Sequence, residues 1–445
     1  MSEDLGVSPV KSCVKCKNCP DCDFCTSAIT RDEATIVEKQ ESLMKIDDIK
    51  SKVEVSYAWT SDVLQLTDNK SQAIGFQKSV EKKLLKQGEL ELYNKELEKA
   101  ISLGYLVELD EQELESYQGL VSYVSHFPVY KPHSKSTSVR VVTNTSLKNR
   151  NCGLSPNQCM GTPPNTLSSL LKVLLRWRSY AKALCLYMTK AYQSIKTGEV
   201  ERNVRWIVWR WGDSQMEWKT FAWDVMTFSD QLALLILELT KKWIAVLGRE
   251  MDPQAAVLLE LSTYVDDTLG GGSLEEVAWF KGVQRPDGSY SKTFPAILSL
   301  VSLITKVLVE SGETDPEILE QFGSKVLGHE WAPTSDKLIF RLAVNLSKKT
   351  RTGERKAPDL LHADASRLHQ MVFTKRRLLG WVMSLYDPMG LLTPILIKIK
   401  IELRRLFGGE HGELGWDYPI RVEAHRAWEI LISEFLTFPV ITVPR

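Results

Sequence analysis

Apolar residues recur at intervals of three or four positions in several stretches of the chain, with charged residues between them. The clearest stretches are 77–85, 93–101 and 422–436. This spacing places the apolar side chains on one face of a helix, so each stretch is predicted to be helical. In 103–108, a glycine followed by apolar residues predicts the end of the second helix and the start of a strand.

Two adjacent aspartates, Asp266 and Asp267, stand between an apolar run that begins at 259 and three consecutive glycines at 270–272. The apolar, β-prone residues before the pair predict a β-hairpin whose turn presents both carboxylates at a surface. Neighbouring aspartates repel each other, so a fold that directs them to one place usually offers them a divalent cation. An exposed acidic turn without a ligand is the alternative.

The neighbours of this pair occur in an order that resembles the reverse transcriptases, in which Tyr-x-Asp-Asp (here 264–267) forms the metal-binding turn of the palm. The other segments similar to that family are 138–146, 189–195, 225–228, 326–331 and 374–377. The string 385–394, with Gly415-Trp416-Asp417 beyond it, resembles the BEL/Pao class of LTR retrotransposon polyproteins. In those polyproteins a Pao-type segment, grouped with a peptidase family, follows the reverse transcriptase region.

The resemblance implies an α+β fold of the right-hand polymerase type, with fingers, a palm built on an antiparallel sheet, and a thumb. A connection-like α/β segment follows. The implied domains are a Cys-rich linker (1–32), a helical pre-fingers region (33–120), fingers and palm (121–282), and thumb and connection with the Pao-type segment (283–445). The tryptophans between 206 and 223 are expected to pack between palm strands rather than to stack on bases.

The resemblance also implies roles for single residues. Asp266 and Asp267 would bind Mg²⁺ or Mn²⁺, since these ions prefer hard oxygen ligands. Arg140 would contact the triphosphate, Tyr192 would exclude the ribose 2′-hydroxyl, and Phe228 would lie at the nucleotide. The primer-gripping hairpin would contain Leu327, Gly328 and Trp331. A solvent-facing Arg140, a core Tyr192 and a core Trp331 are the structural alternatives.

Two positions depart from the family. Tyr187 stands where the family has the first palm aspartate, three residues before Lys190, and the intervening sequence aligns without a gap. A phenol is a poor Mg²⁺ ligand near neutral pH because its reference pKa is about 10. Ser229 stands where glycine is usual, and adds a side chain where the backbone is expected to approach substrate. Both departures predict impaired catalysis.

Three functions follow from these residues. The first is an RNA-directed DNA polymerase that uses two metal ions and is impaired by Tyr187. The second is a catalytically dead retrotransposon remnant that keeps the fold and binds nucleic acid. The third, an aspartic peptidase, needs Asp-Thr-Gly or Asp-Ser-Gly turns. Neither triplet occurs, and Asp267-Thr268-Leu269 is the nearest approach.

The charge balance bears on the partners. The chain has 56 Lys and Arg and 56 Asp and Glu, which argues against a uniformly basic protein but leaves room for a basic cleft. Basic residues cluster at Lys348, Lys349, Arg351, Arg355 and Lys356, at Lys375, Arg376 and Arg377, and at Lys398, Lys400, Arg404 and Arg405. These clusters favour contact with a primer–template duplex of RNA or DNA, and a solvated surface is the alternative. Deoxynucleotides are the other expected ligands, and the protease, ribonuclease H and integrase domains of a polyprotein are expected outside this chain.

Five cysteines occur at three-residue spacing near the start of the chain. They are Cys13, Cys16, Cys19, Cys22 and Cys25. Thiolates spaced Cys-x-x-Cys can share a tetrahedral Zn²⁺, so four of them predict a small knuckle. The longer loop that usually separates two such pairs is missing, and a linker without metal is the alternative.

Neither end of the chain nor its apolar segments predict a membrane or secreted protein. The first residues are acidic and polar, unlike a signal peptide. The apolar segment 294–309 is shorter than the roughly 20 residues needed to span a bilayer and is interrupted by polar residues, so a buried helix is predicted. An intracellular protein with reduced cysteines, in the cytoplasm or the nucleus, is expected.

Overall fold

The structure, a computed structural model, is a mixed α+β fold with small sheets. It describes residues 30–47, 52–130, 139–250, 253–272, 304–310, 325–348, 355–408, 412–438 and 440–445. The cysteine cluster at 13–25 lies outside the described residues, so the zinc knuckle stays a prediction. In the described ranges, no helix has the length and apolar character needed to cross a membrane.

The helices and strands follow one another in an irregular order. The helices are α1 (Arg31–Ser42), α2 (Lys70–Gln87), α3 (Leu90–Ser102), α4 (Glu111–Ser116), α5 (Leu170–Ser179), α6 (Glu199–Asn203), α7 (Ala233–Gly248), α8 (Pro253–Leu261), α9 (Lys375–Val382), α10 (Thr393–Arg405) and α11 (Val422–Leu436). Short 3₁₀ helices are Ser61–Gln65, Pro156–Cys159, Tyr192–Ser194 and His362–Gln370. The strands are β1 (Met44–Asp47), β2 (Lys52–Val55), β3 (Leu106–Leu109), β4 (Ser125–Tyr130), β5 (Val139–Asn144), β6 (Lys182–Thr189), β7 (Ile195–Thr197), β8 (Ile207–Trp209), β9 (Lys219–Trp223), β10 (Thr263–Tyr264), β11 (Asp267–Gly272), β12 (Ile304–Glu310), β13 (Lys325–Val326), β14 (His329–Ala332), β15 (Lys337–Phe340) and β16 (Ile441–Pro444).

The helices predicted from apolar spacing are confirmed. Stretch 77–85 lies within α2, 93–101 lies within α3, and 422–436 coincides with α11. Helix α3 ends at Ser102, and Gly104 has a φ of +67°, a left-handed conformation that glycine adopts without steric cost. Strand β3 then begins at Leu106, as predicted.

Strand β6 is at the centre of the sheet that carries the acidic turn. The strand order is β10-β11-β6-β12, and every pair is antiparallel. Since successive side chains of a strand point to opposite faces, β6 contributes to two cores. Leu184, Leu186 and Met188 pack with α7 and α8, whereas Ala183 and Cys185 pack with α5 and the C-terminal helices. Burial on both faces explains why β6 reads as a continuous apolar run.

The prediction of a buried helix at 294–309 is wrong for the part of it that is described. Residues from Ile304 form strand β12, which pairs antiparallel with β6 in the register Ile304↔Thr189 to Glu310↔Leu184. β-Branched residues stiffen χ1 and favour strands, and Ile304, Thr305, Val307 and Val309 are all of this type. Residues 294–303 lie outside the described residues.

The described residues form four further sheets of two to four strands. Within the described residues, their strand orders are β1-β2-β7, β3-β9-β8, β4-β5 and β13-β14-β15-β16. Trp206, Trp209 and Trp223 are buried at β8 and β9, with Trp211 and Trp218 packed against the same clusters. The expectation that these tryptophans pack between strands agrees with the structure.

A buried ion pair joins three segments that are far apart in sequence. The guanidinium of Arg205 contacts the Asp230 carboxylate, and both side chains have no exposed surface. The hydroxyl of Tyr57 donates to Asp230 Oδ2 at 2.7 Å, and Arg205 also donates to Thr197 Oγ1 at 3.0 Å. Another buried carboxylate, Glu201, accepts from the Tyr57 N–H at 2.7 Å. The network therefore anchors the N-terminal segment to the loop that contains Phe228.

Arg205→Met should lower the free energy of unfolding by about 3–5 kcal/mol, because it leaves the Asp230 carboxylate buried without its cation. The double variant Arg205→Met/Asp230→Leu should lose less, since no charge stays buried. Thermal unfolding followed by tryptophan fluorescence measures both. Lys95→Met is the control: Lys95 pairs with Glu91 at 2.9 Å on the exposed surface, and its loss should leave stability almost unchanged because solvent screens the pair. Equal losses of unfolding free energy for Arg205→Met and Lys95→Met would show that the buried Arg205–Asp230 pair has no special part in stability.

Acidic pH should destabilise the fold through His126. Burial lowers the pKa of His126 from 6.5 to about 4. Its Nε2–H donates to the Val208 carbonyl at 3.2 Å, so Nδ1 is left to accept from the Tyr93 hydroxyl at 2.6 Å. Between pH 6.5 and 4 the unfolded chain binds the proton and the folded chain does not. The contribution of His126 to the free energy of unfolding is therefore constant above pH 6.5. It falls by about 3 kcal/mol as the pH decreases towards 4.

Unfolding midpoints measured from pH 4 to pH 7.5 check this prediction. His126→Gln should lose that part of the pH dependence. His369→Gln, at an exposed histidine, should keep it. Identical pH profiles for His126→Gln and the unmodified chain would show that His126 does not cause the effect.

Candidate active site at the acidic hairpin

The two aspartates lie at a very short β-hairpin. Strands β10 and β11 pair through Thr263↔Thr268 and Tyr264↔Asp267, leaving Val265 and Asp266 in the turn. Val265 has a φ of +57°, in the left-handed region that β-branched residues rarely adopt. The predicted hairpin is therefore confirmed, but of the two aspartates its turn contains only Asp266, and Asp267 is the first residue of β11.

The lead-in to this hairpin is helical, and the prediction that β-prone residues from 259 form its first strand is wrong. Leu259 and Leu261 belong to α8, which begins at Pro253. Proline suits a first helical position because its fixed φ matches the helix and it has no N–H to satisfy. Ala255, Ala256, Leu258 and Leu259 are buried against the core that contains α7. This packing outweighs the local strand preference, and β10 keeps only Thr263 and Tyr264.

The glycines after the aspartates allow two close approaches. A Cβ at Gly271 would lie 2.0 Å from the carbonyl oxygen of Lys182 on β6, and a Cβ at Gly270 would lie 2.9 Å from the Leu258 side chain. Strand β11 therefore packs tightly between β6 and α8 only because these positions lack side chains. The glycines hold the acidic turn against the sheet.

The two carboxylates differ in their surroundings. Burial raises the pKa of Asp267 to about 7, and the neighbouring negative charge of Asp266 adds to this effect. The backbone of Asp266 is held by the Met188 N–H of β6, which donates to its carbonyl at 2.9 Å. Near neutral pH, Asp267 is therefore protonated in part of the molecules. A cation that binds to its carboxylate would displace that proton.

The strand register determines which residue lies opposite Asp267. Tyr187 on β6 is the direct partner of Asp267 on the adjacent strand β11. Directly opposed residues of an antiparallel pair have Cβ atoms about 4.5–5.5 Å apart. A carboxylate at 187 would therefore stand beside the acidic turn, and this chain has a phenol-bearing residue at that position.

Tyr192 lies close to Asp266 of the acidic turn, and Arg140 lies close to Lys190. Burial, with a smaller contribution from the nearby charges of Asp266 and Glu238, raises the pKa of Tyr192 to about 12. Tyr192 is partly buried and packs against the core of α7. Burial lowers the pKa of Lys190, and the charges of Lys99 and Arg140 lower it further. Lys190, which follows β6, therefore has Lys99, Arg140 and the carboxylate of Glu96 within electrostatic range.

Phe228 is exposed on a loop that is tied to β5. Thr143 and Thr227 share hydroxyl contacts with Ser229 Oγ, and Thr145 Oγ1 donates to the Ser229 carbonyl at 2.7 Å. Phe228 keeps 38% of its surface exposed. The Ser229 side chain therefore points into a hydroxyl cluster instead of only adding bulk, a role that sequence reasoning missed.

The predicted primer-gripping hairpin is formed by β13 and β14, with Leu327 and Gly328 at its turn and φ values of +45° and +85°. The hydroxyl of Tyr386 donates to the Leu327 carbonyl at 2.8 Å. Trp331 is buried, packs edge-on against Trp177 with ring centroids 5.0 Å apart, and donates to Asp336 at 3.0 Å. The core alternative therefore holds for Trp331, which supports the hairpin from behind.

Two residues of the basic clusters serve structural contacts. Lys375 is buried, and its Nζ donates to the carbonyls of Gly412 and Leu414 at 3.0 and 2.8 Å. Arg376 forms a two-point pair with Asp417. These contacts remove Lys375 from the expected phosphate-binding surface and engage Arg376, because each donor already has a local acceptor.

Sequence reasoning also missed Glu238 and Lys241, which are buried on α7 behind the turn. The signal was present: both are charged residues, three positions apart, in a helix that is otherwise almost wholly apolar. Lys241 Nζ donates to the Val265 carbonyl at 3.0 Å. The structure thus places a cation directly under the acidic turn.

Asp266 and Asp267 supply hard oxygen donors, the ligand type that divalent cations such as Mg²⁺ prefer. Two carboxylates with water and phosphate oxygens are a usual environment for Mg²⁺. Among the described residues, no group of three or more His, Cys, Asp or Glu side chains is arranged to hold a metal ion.

Comparison with known protein families gives one match. Residues 374–445 match the family model of the Pao retrotransposon-like RNaseH-like domain. The match supports a Pao retrotransposon origin and covers 72 of the 445 residues. No curated protein matches the chain.

The matched residues 374–445, called the Pao segment below, contain α9, α10, α11 and β16. Strand β16 pairs with β15 and so extends the sheet that contains the β13–β14 hairpin. The sequence predicts thumb and connection with a Pao-type segment over 283–445, and the match describes 374–445 as RNaseH-like. Its acidic residues make local contacts: Asp387 accepts from the N–H groups of Leu391 and Leu392, and Asp417 pairs with Arg376.

Gly271→Ala should destabilise the central sheet, because the new Cβ would clash with the Lys182 backbone carbonyl and force β11 away from β6. A loss of about 1–3 kcal/mol is expected, measured by thermal unfolding. Gly380→Ala is the matched control: Gly380 lies in α9 with no atom within 4 Å of the added Cβ. That change should be neutral or stabilise by about 1 kcal/mol. A Gly271→Ala protein as stable as the original would contradict the close approach.

Proposed function

We propose that this chain is a reverse-transcriptase-like protein of retroelement origin that binds primer–template nucleic acid and one divalent cation. In this proposal nucleotidyl transfer is impaired because Tyr187 occupies the place of a third carboxylate. The observation that carries the proposal is the strand register, in which Tyr187 is the direct partner of Asp267.

The surroundings of the acidic hairpin support this function. An antiparallel sheet presents Asp266 and Asp267 at its edge, with Tyr192 close to Asp266. Lys190 and Arg140 lie near each other beyond the end of β6. Positive side chains next to a carboxylate-bound cation suit the triphosphate of a deoxynucleotide, since they neutralise charge that develops during phosphoryl transfer.

Asp266 and Asp267 would hold the cation, and Mg²⁺ or Mn²⁺ matches their hard oxygen donors. A bound cation supplies charge neutralisation for phosphate oxygens and lowers the pKa of a coordinated hydroxyl. The chain's own residues would orient it: Met188 holds the Asp266 backbone, and the β6–β11 pairing holds Asp267. A second ion would need the carboxylate that position 187 lacks.

The family description of 374–445 as RNaseH-like supports nucleic-acid binding and a polyprotein context. We expect affinity to come mainly from phosphate contacts and to fall as salt rises. Protease and integrase partners would belong to that polyprotein. A role within a cell, away from membranes, is part of this proposal.

A catalytically dead remnant is the second candidate, and the residue at 187 favours it. A remnant would keep the fold and its affinity for nucleic acid without any extension of a primer. The aspartic peptidase receives less support. Asp267 lies in strand β11 and pairs with β6, rather than in a turn that could share a proton with a second carboxylate.

Tyr187→Asp should raise primer extension on an RNA template by at least about 100-fold, because it restores a carboxylate beside Asp267. The assay measures incorporation of deoxynucleotides with Mg²⁺ or Mn²⁺. Tyr187→Asn is the matched control, since it has the size of aspartate without its charge and should stay at the level of the unmodified chain.

Asp266→Asn should abolish any extension in the Tyr187→Asp background. Activity in the unmodified chain that Asp266→Asn removes would show that the third carboxylate is dispensable. Silence in every variant, together with salt-sensitive duplex binding, would favour the remnant.

A further inference from the structure

Helix α7 carries an ion pair in a place where charge is costly. Glu238 and Lys241 are 5% and 2% exposed, and Lys241 Nζ lies 2.6 Å from Glu238 Oε1. Both are surrounded by the apolar core that contains Leu237, Leu239 and Ile244. Removing two ions from water costs several kcal/mol for each, and mutual attraction offsets that cost only when further hydrogen bonds complete the site. The pair therefore needs a structural explanation.

The third partner of the pair is the acidic turn. Lys241 Nζ donates to the Val265 carbonyl at 3.0 Å, so the ammonium bridges the Glu238 carboxylate and the turn. The positive charge of Lys241 also lies close enough to Asp266 for the two to interact electrostatically. The pair is thus attached to the residue that precedes the first aspartate.

The turn requires such an attachment. Val265 has a φ of +57°, a left-handed conformation that is unfavourable for an L-residue because its Cβ crowds the backbone. The Val265 carbonyl and the Asp266 N–H belong to one planar peptide, so a donor that fixes the carbonyl also fixes the direction in which Asp266 leaves the turn. On the other side of Asp266, the Met188 N–H holds its carbonyl at 2.9 Å. Asp266 is therefore held at both of its peptide groups.

We propose that Lys241, held in place by Glu238, is a positioning residue that fixes the acidic turn in the conformation that binds a cation. The hydrogen bond from Lys241 to the Val265 carbonyl supports the positioning of the turn. The effect on cation binding rests on the proposed function. Lys241 touches neither the cation nor a substrate; it acts through the Val265 peptide.

Lys241→Met tests the proposal, with Lys375→Met as the matched control. Lys375 is equally buried, and its Nζ also donates to two backbone carbonyls, but these belong to the Pao segment. The first measurement is hydrogen exchange by mass spectrometry without metal. Lys241→Met should speed exchange in the peptides that cover 183–190 and 262–268 by at least tenfold, whereas Lys375→Met should leave them unchanged.

The second measurement is Mn²⁺ affinity by electron paramagnetic resonance. The dissociation constant should rise about 10–100-fold in Lys241→Met, the range found when a group that orients a metal ligand is lost. Lys375→Met should keep the original Mn²⁺ affinity, even if it lowers the unfolding temperature as much as Lys241→Met does. If Lys241→Met fails to fold, Glu238→Gln/Lys241→Met removes the orphaned carboxylate and is used in its place.

The two hypotheses fail in different ways. If the unmodified chain binds Mn²⁺ no better than Asp266→Asn, the proposed cation site falls, and hydrogen exchange alone decides whether Lys241 holds the turn. If the chain binds Mn²⁺ and Lys241→Met neither weakens binding nor speeds exchange more than Lys375→Met, the role of Lys241 is overturned while the proposed function stands.

Discussion

The buried guanidinium of Arg205 is the contact on which the arrangement of the N-terminal segment, β7 and the Phe228 loop depends. It contacts Asp230 on the Phe228 loop and donates to the Thr197 hydroxyl, while Tyr57 donates to the same carboxylate. An ion that is completely removed from water must find all its partners within the protein, so its surroundings tolerate little displacement. The N-terminal segment, β7 and the Phe228 loop are consequently fixed relative to one another before any ligand binds.

The acidic turn uses the same principle on a smaller scale. Lys241 is buried beside Glu238 and donates to the Val265 carbonyl, while Met188 holds the next peptide. Gly271 lets β11 approach the β6 backbone more closely than any residue with a Cβ. Three different devices, a buried cation, a strand hydrogen bond and a missing side chain, hold two aspartates that repel each other. The energy that this placement costs is supplied by the surrounding core.

Much of the local structure could be predicted because it depends on residues close together in sequence. The helices α2, α3 and α11, the stop at Gly104 and the hairpin at 264–267 follow from apolar spacing and turn chemistry. The predictions that are wrong concern apolar runs without clear period. Residues 259–261 are helical because their side chains pack with α7. Residues from Ile304 form a strand because they pair with the edge of β6 that β11 leaves unpaired. A short apolar run fits either element, and its partner decides.

The sequence by itself determined which residue types this protein has at its acidic hairpin: two adjacent aspartates, glycines after them, and a tyrosine at 187. Only the tertiary structure decided that Tyr187 is the direct strand partner of Asp267, that Lys241 lies beneath Val265, and that Trp331 is buried. Spacing along a chain specifies what a short segment does, because local backbone geometry is periodic. Strand register and side-chain burial depend on segments that are distant in sequence, and they exist only once the core has closed.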